Sequence, residues 1–498
     1  MIYRSTRGQA PAVSASEAVL RGLAPDGGLY VPGVIPVFAP GELIELAGLP
    51  YVGRAKAVLA RFFDDFTSEE LDSCIQGAWG EGSRFDGPNP APVRPVGPVH
   101  MLELWHGPTC AFKDMALQFL PRAMVTARRK LGVGGRTLIL AATSGDTGKA
   151  ALEGFADVPD THCAVFYPDG GVSGVQRLQM ATQRGSNVSV IAVRGNFDDA
   201  QTGVKAIFGD EDYNRILAEE GWALSSANSI NWGRLAPQIV YYVSAWCDLY
   251  NAGQVGANAA VDFVVPTGNF GNILAGWYAR QMGVPIGRLV CASNRNRVLT
   301  DFFESGVYDM RRPFYKTISP SMDILVSSNL ERLLYELSDR EGAVVAKLMA
   351  ALRRDGVYTV DEGLRAAMAG LFRADCADDG ETAQTIAKVW QQYRVLLDPH
   401  TAVAWGVMER LGTERPTVVV STANPYKFAG DVLNALEGQN LERTGGREDC
   451  EQLEALTGIA APLPIAELWT LPERHDHVCD RQEMGEALQR ALRAGDGR

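Results

Sequence analysis

The pattern that most constrains the fold recurs through the middle of the chain: a short apolar run, a turn of small residues and a helical stretch. Runs of this kind lie at 137–143, 163–167, 188–193, 261–265 and 418–420. Apolar runs without polar alternation predict strands buried on both faces, as in a mostly parallel sheet. Because helices separate these runs, the sequence predicts an α/β fold with ligands at the carboxyl ends of the strands.

The 498 residues are too many for one small module, and two features divide them. Residues 87–99 read GPNPAPVRPVGPV, which predicts an extended connector after an N-terminal segment. The stretch from 330 to 392 turns helical, which predicts a helical insertion. We therefore expect an N-terminal segment at 1–90, a core at 96–440 that contains the insertion, and a peripheral helical tail at 441–498.

The charge balance of the chain limits the kinds of molecule that it can bind. The chain has 47 Lys and Arg against 59 Asp and Glu, a formal net charge of −12, and no long basic run. Such a chain is not expected to bind nucleic acid or an anionic membrane. No stretch approaches the roughly 20 apolar residues that span a bilayer, and the opening MIYRSTRGQA lacks the apolar core of a signal peptide. A small anionic ligand stays compatible, since local donors can outweigh net charge.

The spacing of the cysteines, histidines and glycines argues against a metal site and against a nucleotide-binding loop. The eight cysteines lie far apart without a CxxC pair, so we expect free thiols in a cytoplasmic, reducing compartment. His475 and His477 have no matching cysteine or carboxylate cluster, so we expect no metal site. GDTGK at 145–149 resembles part of a P-loop, but its glycines are too close and Ala150 stands where a hydroxyl is needed.

The strongest sign of an anion site is the loop TGNFGN at 267–272, which follows an apolar run and opens a predicted helix. Its two glycines allow successive backbone N–H groups to converge, and the helix N-terminus adds partial positive charge. No Lys or Arg lies in the loop, so neutral donors would hold the anion. The alternative is a strand-to-helix turn without a ligand.

Three other polar segments are ambiguous on their own. SGDTG at 144–148 can present hydroxyls and amides to a carboxylate, or can be a capped turn. NSINWGR at 228–234 can bind a phosphate through its arginine, or can be a polar loop before a helix. Lys113 follows HGPTCAF, and burial among such neighbours would lower its pKa and leave a neutral amine. The alternative is a surface lysine paired with Asp114.

Taken together, these segments resemble the threonine synthase family in order and spacing, from Tyr3 to about Leu436. The opening YRSTRG and GLAPDGGLYVP resemble the family's N-terminal segment. The rest of the likeness is carried by HGPTCAFKDMALQFL, TSGDTGKAALEGF, NFDDAQTGVKAIF, NSINWGRLAPQIVYY, PTGNFGNILAG, SMDILVSSNLERLL, DPHTAVAW and STANPYKF. The resemblance implies a two-lobed pyridoxal-phosphate core of fold type II, the tryptophan-synthase-β type. It also implies conversion of O-phospho-L-homoserine and water to L-threonine and phosphate.

The resemblance assigns roles to single residues. Lys113 matches the lysine that forms a Schiff base with the cofactor, and it would act as the general base. Thr422 matches the hydroxyl that faces the pyridine nitrogen. The loop that holds the cofactor phosphate matches Gly268, Asn269, Phe270, Gly271 and Asn272. The substrate-binding positions match Ser144, Gly145, Asp146, Thr147, Asn228, Ser229 and Arg234.

Two positions depart from the family pattern. Cys110 stands where Leu is common, and we expect it to pack as a small hydrophobe. Asn424 stands where many relatives have His, which removes a proton-shuttling role at that position. The resemblance assigns no role to His400 in DPHTAV.

Two alternatives stay open for the function. The first is a pyridoxal-phosphate-dependent phospho-lyase or dehydratase that gives 2-oxobutyrate from phosphohomoserine or phosphothreonine. The second is a non-catalytic phosphate-ligand protein that keeps the fold, and an intact Lys113 argues against it. The expected partner is a small phosphorylated amino acid, and the expected assembly is a monomer or a homodimer.

Overall fold

Two β-sheets organise the structure, a computed structural model that describes residues 1–143 and 145–496. The first sheet has five strands, all parallel, in the spatial order Val478–Cys479, Val188–Val193, Thr161–Pro168, Arg136–Ala142 and Trp222–Ser225. The second has six strands, in the order Phe372–Cys376, Ile286–Ser293, Val261–Pro266, Thr417–Ser421, Val99–Glu103 and Val93–Val96. Only the last of these pairs antiparallel. The predicted α/β fold and its predicted strands are confirmed.

Helices pack against both sheets. Those of the first lobe are Asp114–Leu117, Leu120–Leu131, Asp146–Phe155, Gly174–Ala181, Phe197–Gly209 and Glu211–Glu219. Those of the second lobe are Gly271–Gln281, Val298–Ser305, Leu330–Leu337, Gly342–Asp355, Glu362–Ala369, Asp379–Tyr393, Pro399–Leu411 and Ala429–Glu437. The N-terminal segment and the tail add Ala15–Arg21, Glu42–Ala47, Tyr51–Leu59, Ser68–Trp79, Arg447–Thr457, Leu463–Ala466 and Met484–Asp496.

One long helix, Trp232–Asn251, runs through the centre of the core. Almost all of its 20 residues are buried, because its sequence WGRLAPQIVYYVSAWCDLYN has apolar residues on every side and leaves no wide polar face for solvent. Asn231 caps the helix by accepting the Gly233 N–H at 2.8 Å. This cap fixes the first helical turn, which carries Arg234.

The N-terminal segment supports the start of that helix. Asn231 also donates its side-chain N–H to the Val19 carbonyl at 2.8 Å, and the ring of Tyr3 lies 5.6 Å from that of Trp232. Arg7 forms a bidentate ion pair with Glu331, with two N–O distances of 3.0 Å. The segment is therefore fastened both to the long helix and to the stretch predicted as an insertion.

The structure corrects three details of the predicted organisation. Two strands, Val357–Thr359 and Phe372–Cys376, interrupt the stretch predicted as helical, and the second of them is an edge strand of the second sheet. Part of the predicted connector forms the strand Val93–Val96, which turns at Gly97 into a hairpin. The tail supplies the edge strand Val478–Cys479 to the first sheet, and Leu488 is fully buried against that sheet. The end of the tail is thus part of the first lobe rather than peripheral to it, whereas the tail helix Arg447–Thr457 packs against Ala429–Glu437 of the second lobe.

Membrane-spanning helices and metal clusters are both absent from the residues that the structure describes. No helix there is long and apolar enough to cross a bilayer. No cluster of three or more His, Cys, Asp or Glu side chains within those residues is placed to hold a metal ion. All eight cysteines are free thiols, and seven of them are buried.

Candidate active site

A cavity of about 690 Å³ opens where strands of both sheets end. Ala142 and Thr143 line it from the first sheet, and Pro266, Thr267 and Thr422 line it from the second. Carboxyl ends of parallel strands collect loops and helix N-termini at one edge, which is where ligands bind in such folds. The position predicted for a ligand from the strand pattern is therefore where the structure places its large cavity.

Lys113 reaches this cavity because two loops pair with each other. Phe112 donates its N–H to the Thr422 carbonyl at 2.8 Å, and Asn424 donates to the Cys110 carbonyl at 3.0 Å. Ala111 lies between these bonds, in an antiparallel bridge to Ala423. The segment before Lys113 is therefore held against the segment that carries Thr422, and both side chains line the same cavity.

The environment of Lys113 is buried and polar. Its Nζ lies 3.3 Å from Ser321 Oγ and 3.7 Å from Asp146 Oδ2. Burial lowers the pKa of Lys113 to about 8; Asp146 opposes this shift, and Arg234 and Lys427 add to it. A lysine with such a pKa exchanges its proton near neutral pH, as a general base must.

The alternative of a surface lysine paired with Asp114 is wrong. Lys113 is 9% exposed, and Asp114 is fully buried. The Asp114 carboxylate instead accepts the Thr109 N–H and hydroxyl, each at 2.8 Å. A side chain at Gly107 would collide with it, since a Cβ there would lie 2.5 Å from Asp114 Oδ2. Asp114 therefore shapes the turn before Lys113.

Asp146 is the carboxylate at the centre of the site. Lys427 Nζ lies 3.0 Å from Oδ1, and Gln176 donates to the same oxygen at 3.0 Å. Burial alone would raise the pKa of Asp146, but the charges of Lys427 and then Lys113 hold it well below its usual range. The carboxylate therefore stays ionised and keeps Lys113 oriented through Ser321, which lies 3.3 Å from Oδ2.

His400 has a defined place, which the sequence alone did not give it. Its Nδ1 lies 2.7 Å from Asp398 Oδ1, and its Nε2 accepts the Ser321 N–H at 3.1 Å. Since Nε2 accepts a hydrogen bond, the ring proton lies on Nδ1, facing Asp398. His400 therefore fixes the backbone of the residue whose hydroxyl contacts Lys113.

The loop at 268–272 has free donors. The carbonyls of Gly268 and Asn269 are occupied, by the Ser327 hydroxyl at 2.7 Å and by the Asn329 amide at 3.0 Å. The N–H groups of 268–272 find no acceptor among the residues that the structure describes. The Asn272 Oδ1 accepts two tyrosine hydroxyls, at 2.7 and 2.8 Å, whereas its buried Nδ2 has no partner in the described chain.

Arg234 is a buried cation with hydrogen-bond donors that are only partly used. It is 4% exposed and donates to the Ala227 carbonyl at 2.8 Å, and its buried Nε has no acceptor in the described part of the chain. Burial lowers its pKa to about 10. No carboxylate within those residues pairs with it. Asn228 and Ser229 line the same side of the cavity, so this wall is suited to an anion.

Most of the predicted site residues therefore meet in one cavity. Lys113, Thr422, the loop at 268–272, Asp146, Thr147, Asn228, Ser229 and Arg234 all line it. Gly145 donates its N–H to Thr143 Oγ1 at 3.0 Å, so this amide is already used. Ser144 lies outside the described residues.

Sequence reasoning missed three residues that hold the site together. Lys427 is fully buried and donates to Thr109, Gln179 and Asp146. Gln176 binds Asp146, and Ser321 binds Lys113. A lysine inside the apolar segment NPYKF was a signal for the first, because a lysine is almost never fully buried without a partner.

Comparisons with known proteins agree with this geometry. The family model described as "Threonine synthase N terminus" matches residues 2–79, and the one described as "Pyridoxal-phosphate dependent enzyme" matches 95–377. Threonine synthase of Pseudomonas aeruginosa is 42% identical over 446 residues, which are 88% of this chain and 91% of that protein. The chain belongs to the threonine synthase family. This confirms the resemblance seen in the sequence.

Solved structures of the family share the fold. The pyridoxal-phosphate-bound threonine synthase of Brucella melitensis is 38% identical and covers 99% of this chain and 100% of its own, with a TM-score of 0.87. Yeast threonine synthase is 33% identical and covers 99% of each chain, with a TM-score of 0.88. The predicted two-lobed fold type II is thereby confirmed.

A second group of relatives is longer than this chain. Threonine synthase-like 1 of Homo sapiens is 39% identical over 493 residues, which are 97% of this chain. The chain spans only 64% of the length of that protein.

Proposed function

We propose that this chain is a threonine synthase that converts O-phospho-L-homoserine and water to L-threonine and phosphate. The observation that carries the proposal is the pairing, in one cavity, of a buried lysine with a pKa of about 8 and a buried arginine without a carboxylate partner in the described chain. The lysine suits proton transfer, and the arginine suits a phosphorylated substrate.

Pyridoxal phosphate is the cofactor that the site fits. A phosphate requires several converging donors, and the loop at 268–272 supplies free N–H groups together with the orphaned Asn272 Nδ2. Lys113 would anchor the cofactor aldehyde, and Thr422 would face its ring nitrogen. When bound, the cofactor supplies an electron sink beside the substrate amino group.

Lys113 moves the protons in the proposed reaction. Its neutral amine takes the proton from the substrate Cα and then one from Cβ. After the phosphate has left, one proton returns to Cγ, water adds its hydroxyl at Cβ and gives its proton to the phosphate, and the second proton returns to Cα. Asp146 and Ser321 hold Nζ in place during these transfers. Because Lys427 keeps Asp146 ionised, Asp146 does not compete for the proton.

Arg234 acts on the other end of the substrate. Its guanidinium binds the phosphate, with Asn228 and Ser229 beside it, and stabilises the charge that develops as the Cγ–O bond breaks. Phosphate leaves with the electron pair of that bond, and water supplies the hydroxyl of threonine. The balance of atoms is therefore phosphohomoserine plus water giving threonine plus phosphate.

Product analysis tests the proposal. Purified protein with added pyridoxal phosphate is incubated with phosphohomoserine, and threonine, phosphate and 2-oxobutyrate are measured. Equal amounts of threonine and phosphate, lost in Lys113→Ala, support the proposal. Release of 2-oxobutyrate with phosphate would favour the phospho-lyase alternative, and a protein that takes up no cofactor would favour the non-catalytic one.

We also propose a cytoplasmic location, in a reducing compartment. The support is the set of eight free thiols, of which seven are buried and unpaired in the fold. Labelling of the protein in gently lysed cells with a thiol reagent under denaturing conditions, without prior reduction, should modify all eight.

A further inference from the structure

A second cavity, of about 520 Å³, lies away from the site described above. It is bounded by the N-terminal helix Ser68–Trp79, by the helix Leu120–Leu131, and by the end of the helix Asp146–Phe155. Three arginines line it, Arg84, Arg122 and Arg129. Neither the family resemblance nor the proposed reaction uses any of them.

Arg122 is the unusual member of this set. It is half-buried, and its guanidinium donates to the Gln118 carbonyl at 3.1 Å but pairs with no carboxylate among the described residues. It occupies the first turn of the helix Leu120–Leu131, where the helix dipole disfavours a cation. Burial and the charge of Arg84 lower its pKa. An unpaired cation that is half-buried in the first turn of a helix destabilises the fold unless an anion binds beside it.

The fold makes specific room for this guanidinium. A Cβ at Gly77 would lie 2.2 Å from Arg122 Nε and 3.1 Å from its Cζ. Gly77 sits inside the helix Ser68–Trp79, where glycine costs about 1 kcal/mol relative to alanine. The bare backbone at this position is what allows Arg122 to lie across the helix.

Gln118 is a second, independent sign of a ligand. Its side chain lines the cavity, is 4% exposed, and has a buried Nε2 with no hydrogen-bond partner in the described chain. Leaving an amide donor unsatisfied in a buried position costs about 1–3 kcal/mol. Arg122 donates to the carbonyl of Gln118, and both side chains line the same cavity.

The acidic side chains of the cavity do not neutralise it. Glu153 is already paired with Arg84 and with Lys149, whose Nζ lies 2.8 Å away. Asp157 is exposed and accepts the Ser186 N–H and hydroxyl at 2.9 and 3.0 Å. Arg129 is exposed at the mouth and pairs with no carboxylate in the described ranges.

We propose that this cavity is a binding site for a small anion bearing a carboxylate or a phosphate group, held by Arg122 and Gln118. Arg122 supplies two parallel N–H donors and Gln118 supplies a third, a set that matches either group. Arg129 at the mouth supplies longer-range attraction. The volume of about 520 Å³ accommodates a small metabolite.

Calorimetric titration of the full, cofactor-loaded protein with inorganic phosphate and, separately, with malonate tests the site at constant ionic strength. The test variant is Arg122→Met, which keeps the aliphatic packing. The matched control is Arg354→Met, since Arg354 is 74% exposed and lines neither cavity. We expect Arg122→Met to weaken one class of phosphate or malonate sites at least tenfold, and the control to weaken none.

A second variant keeps the test decisive if Arg122→Met folds poorly. Gln118→Glu places a carboxylate inside the cavity, so it should raise the melting temperature and, in an Arg234→Met background, abolish the rise that phosphate or malonate produces. Binding of phosphate or of malonate then shows whether the natural ligand carries a phosphate or a carboxylate group. Identical isotherms for wild type and Arg122→Met, or an undiminished effect of both anions on Gln118→Glu, would overturn the proposal. Arg234→Met separates this site from the active site, because it should remove phosphate binding only there.

Discussion

The buried ion pair between Lys427 and Asp146 provides the sharpest test of how the site is held together. Lys427 is fully buried and Asp146 is 4% exposed, and their charged atoms lie 3.0 Å apart. Replacing Lys427 with Met removes three hydrogen bonds, of 2.7 Å to Thr109, 2.9 Å to Gln179 and 3.0 Å to Asp146. It also leaves a buried carboxylate with one weaker cationic neighbour, Lys113 at 3.7 Å.

Breaking a buried pair from one side costs about 3–5 kcal/mol, so Lys427→Met should lower the free energy of unfolding by that amount. Lys388→Met is the matched control, because Lys388 is 49% exposed and pairs with Glu409 at 2.9 Å. Its loss should cost less than about 1 kcal/mol. Urea unfolding of the cofactor-saturated protein, followed by tryptophan fluorescence, measures both.

A double variant isolates the charge effect. Asp146→Asn removes the uncompensated carboxylate. The double variant Lys427→Met with Asp146→Asn should therefore be less destabilised than the sum of the two single variants, by about 1–3 kcal/mol.

The pH dependence of the stability also has a defined sign. The pKa of Asp146 is depressed in the fold, so its stabilisation is present above its unfolded value near 3.8 and is lost as the pH falls below it. In Lys427→Met that pKa rises towards its unfolded value, so the loss of stability on acidification should become smaller.

The reasoning would be refuted by a Lys427→Met variant no less stable than Lys388→Met. It would equally be refuted by strict additivity in the cycle, since the geometry requires the two groups to interact directly.

Three further results are expected. Lys113→Ala should lower threonine formation at least about 10³-fold and remove the borohydride-sensitive absorbance of the bound cofactor, while Lys388→Ala leaves both intact. Arg234→Met should lower kcat/KM for phosphohomoserine by about 10²–10³ while the cofactor stays bound, because the cofactor phosphate is assigned to another loop. Cys110→Ser should retain activity, and thiol reagents should spare Cys110 in the native protein, because burial raises its pKa to about 12 and keeps the thiol protonated.

Much of the fold follows from local patterns. The strand predicted at 188–193 is the strand Val188–Val193, because an apolar run of this length buried on both faces has no other regular structure that suits its β-branched residues. The edge strand Phe372–Cys376 could not be predicted this way. Its sequence FRADC is half polar, and only the neighbouring strand of the sheet supplies its hydrogen bonds.

The residues of the site also differ in how far the sequence alone predicts them. Lys113 and the loop at 268–272 lie in segments whose turn and helix-start patterns point to chemistry. The lysine inside NPYKF signals a buried charge at Lys427 but not its partners, because Thr109, Gln179 and Asp146 come from distant parts of the chain. Spatial pairing between remote segments is what a single sequence does not display.

The local charge of the site explains how an acidic chain could bind the phosphorylated substrate proposed for it. The net charge is −12, yet the buried cations Lys113 and Arg234 line the cavity, and a third, Lys427, neutralises the buried carboxylate of Asp146. Surface carboxylates act across water, where their field is screened within about 8–10 Å at physiological salt. Buried cations act through a medium of lower dielectric, where each interaction is several times stronger.

Removing the charge of Asp146 should therefore strengthen phosphate binding but leave Lys113 less well oriented. We expect Asp146→Asn to lower kcat for threonine formation and to lower the dissociation constant of inorganic phosphate. A variant that loses phosphate affinity as well would show that Asp146 organises the phosphate wall and does not merely offset its charge.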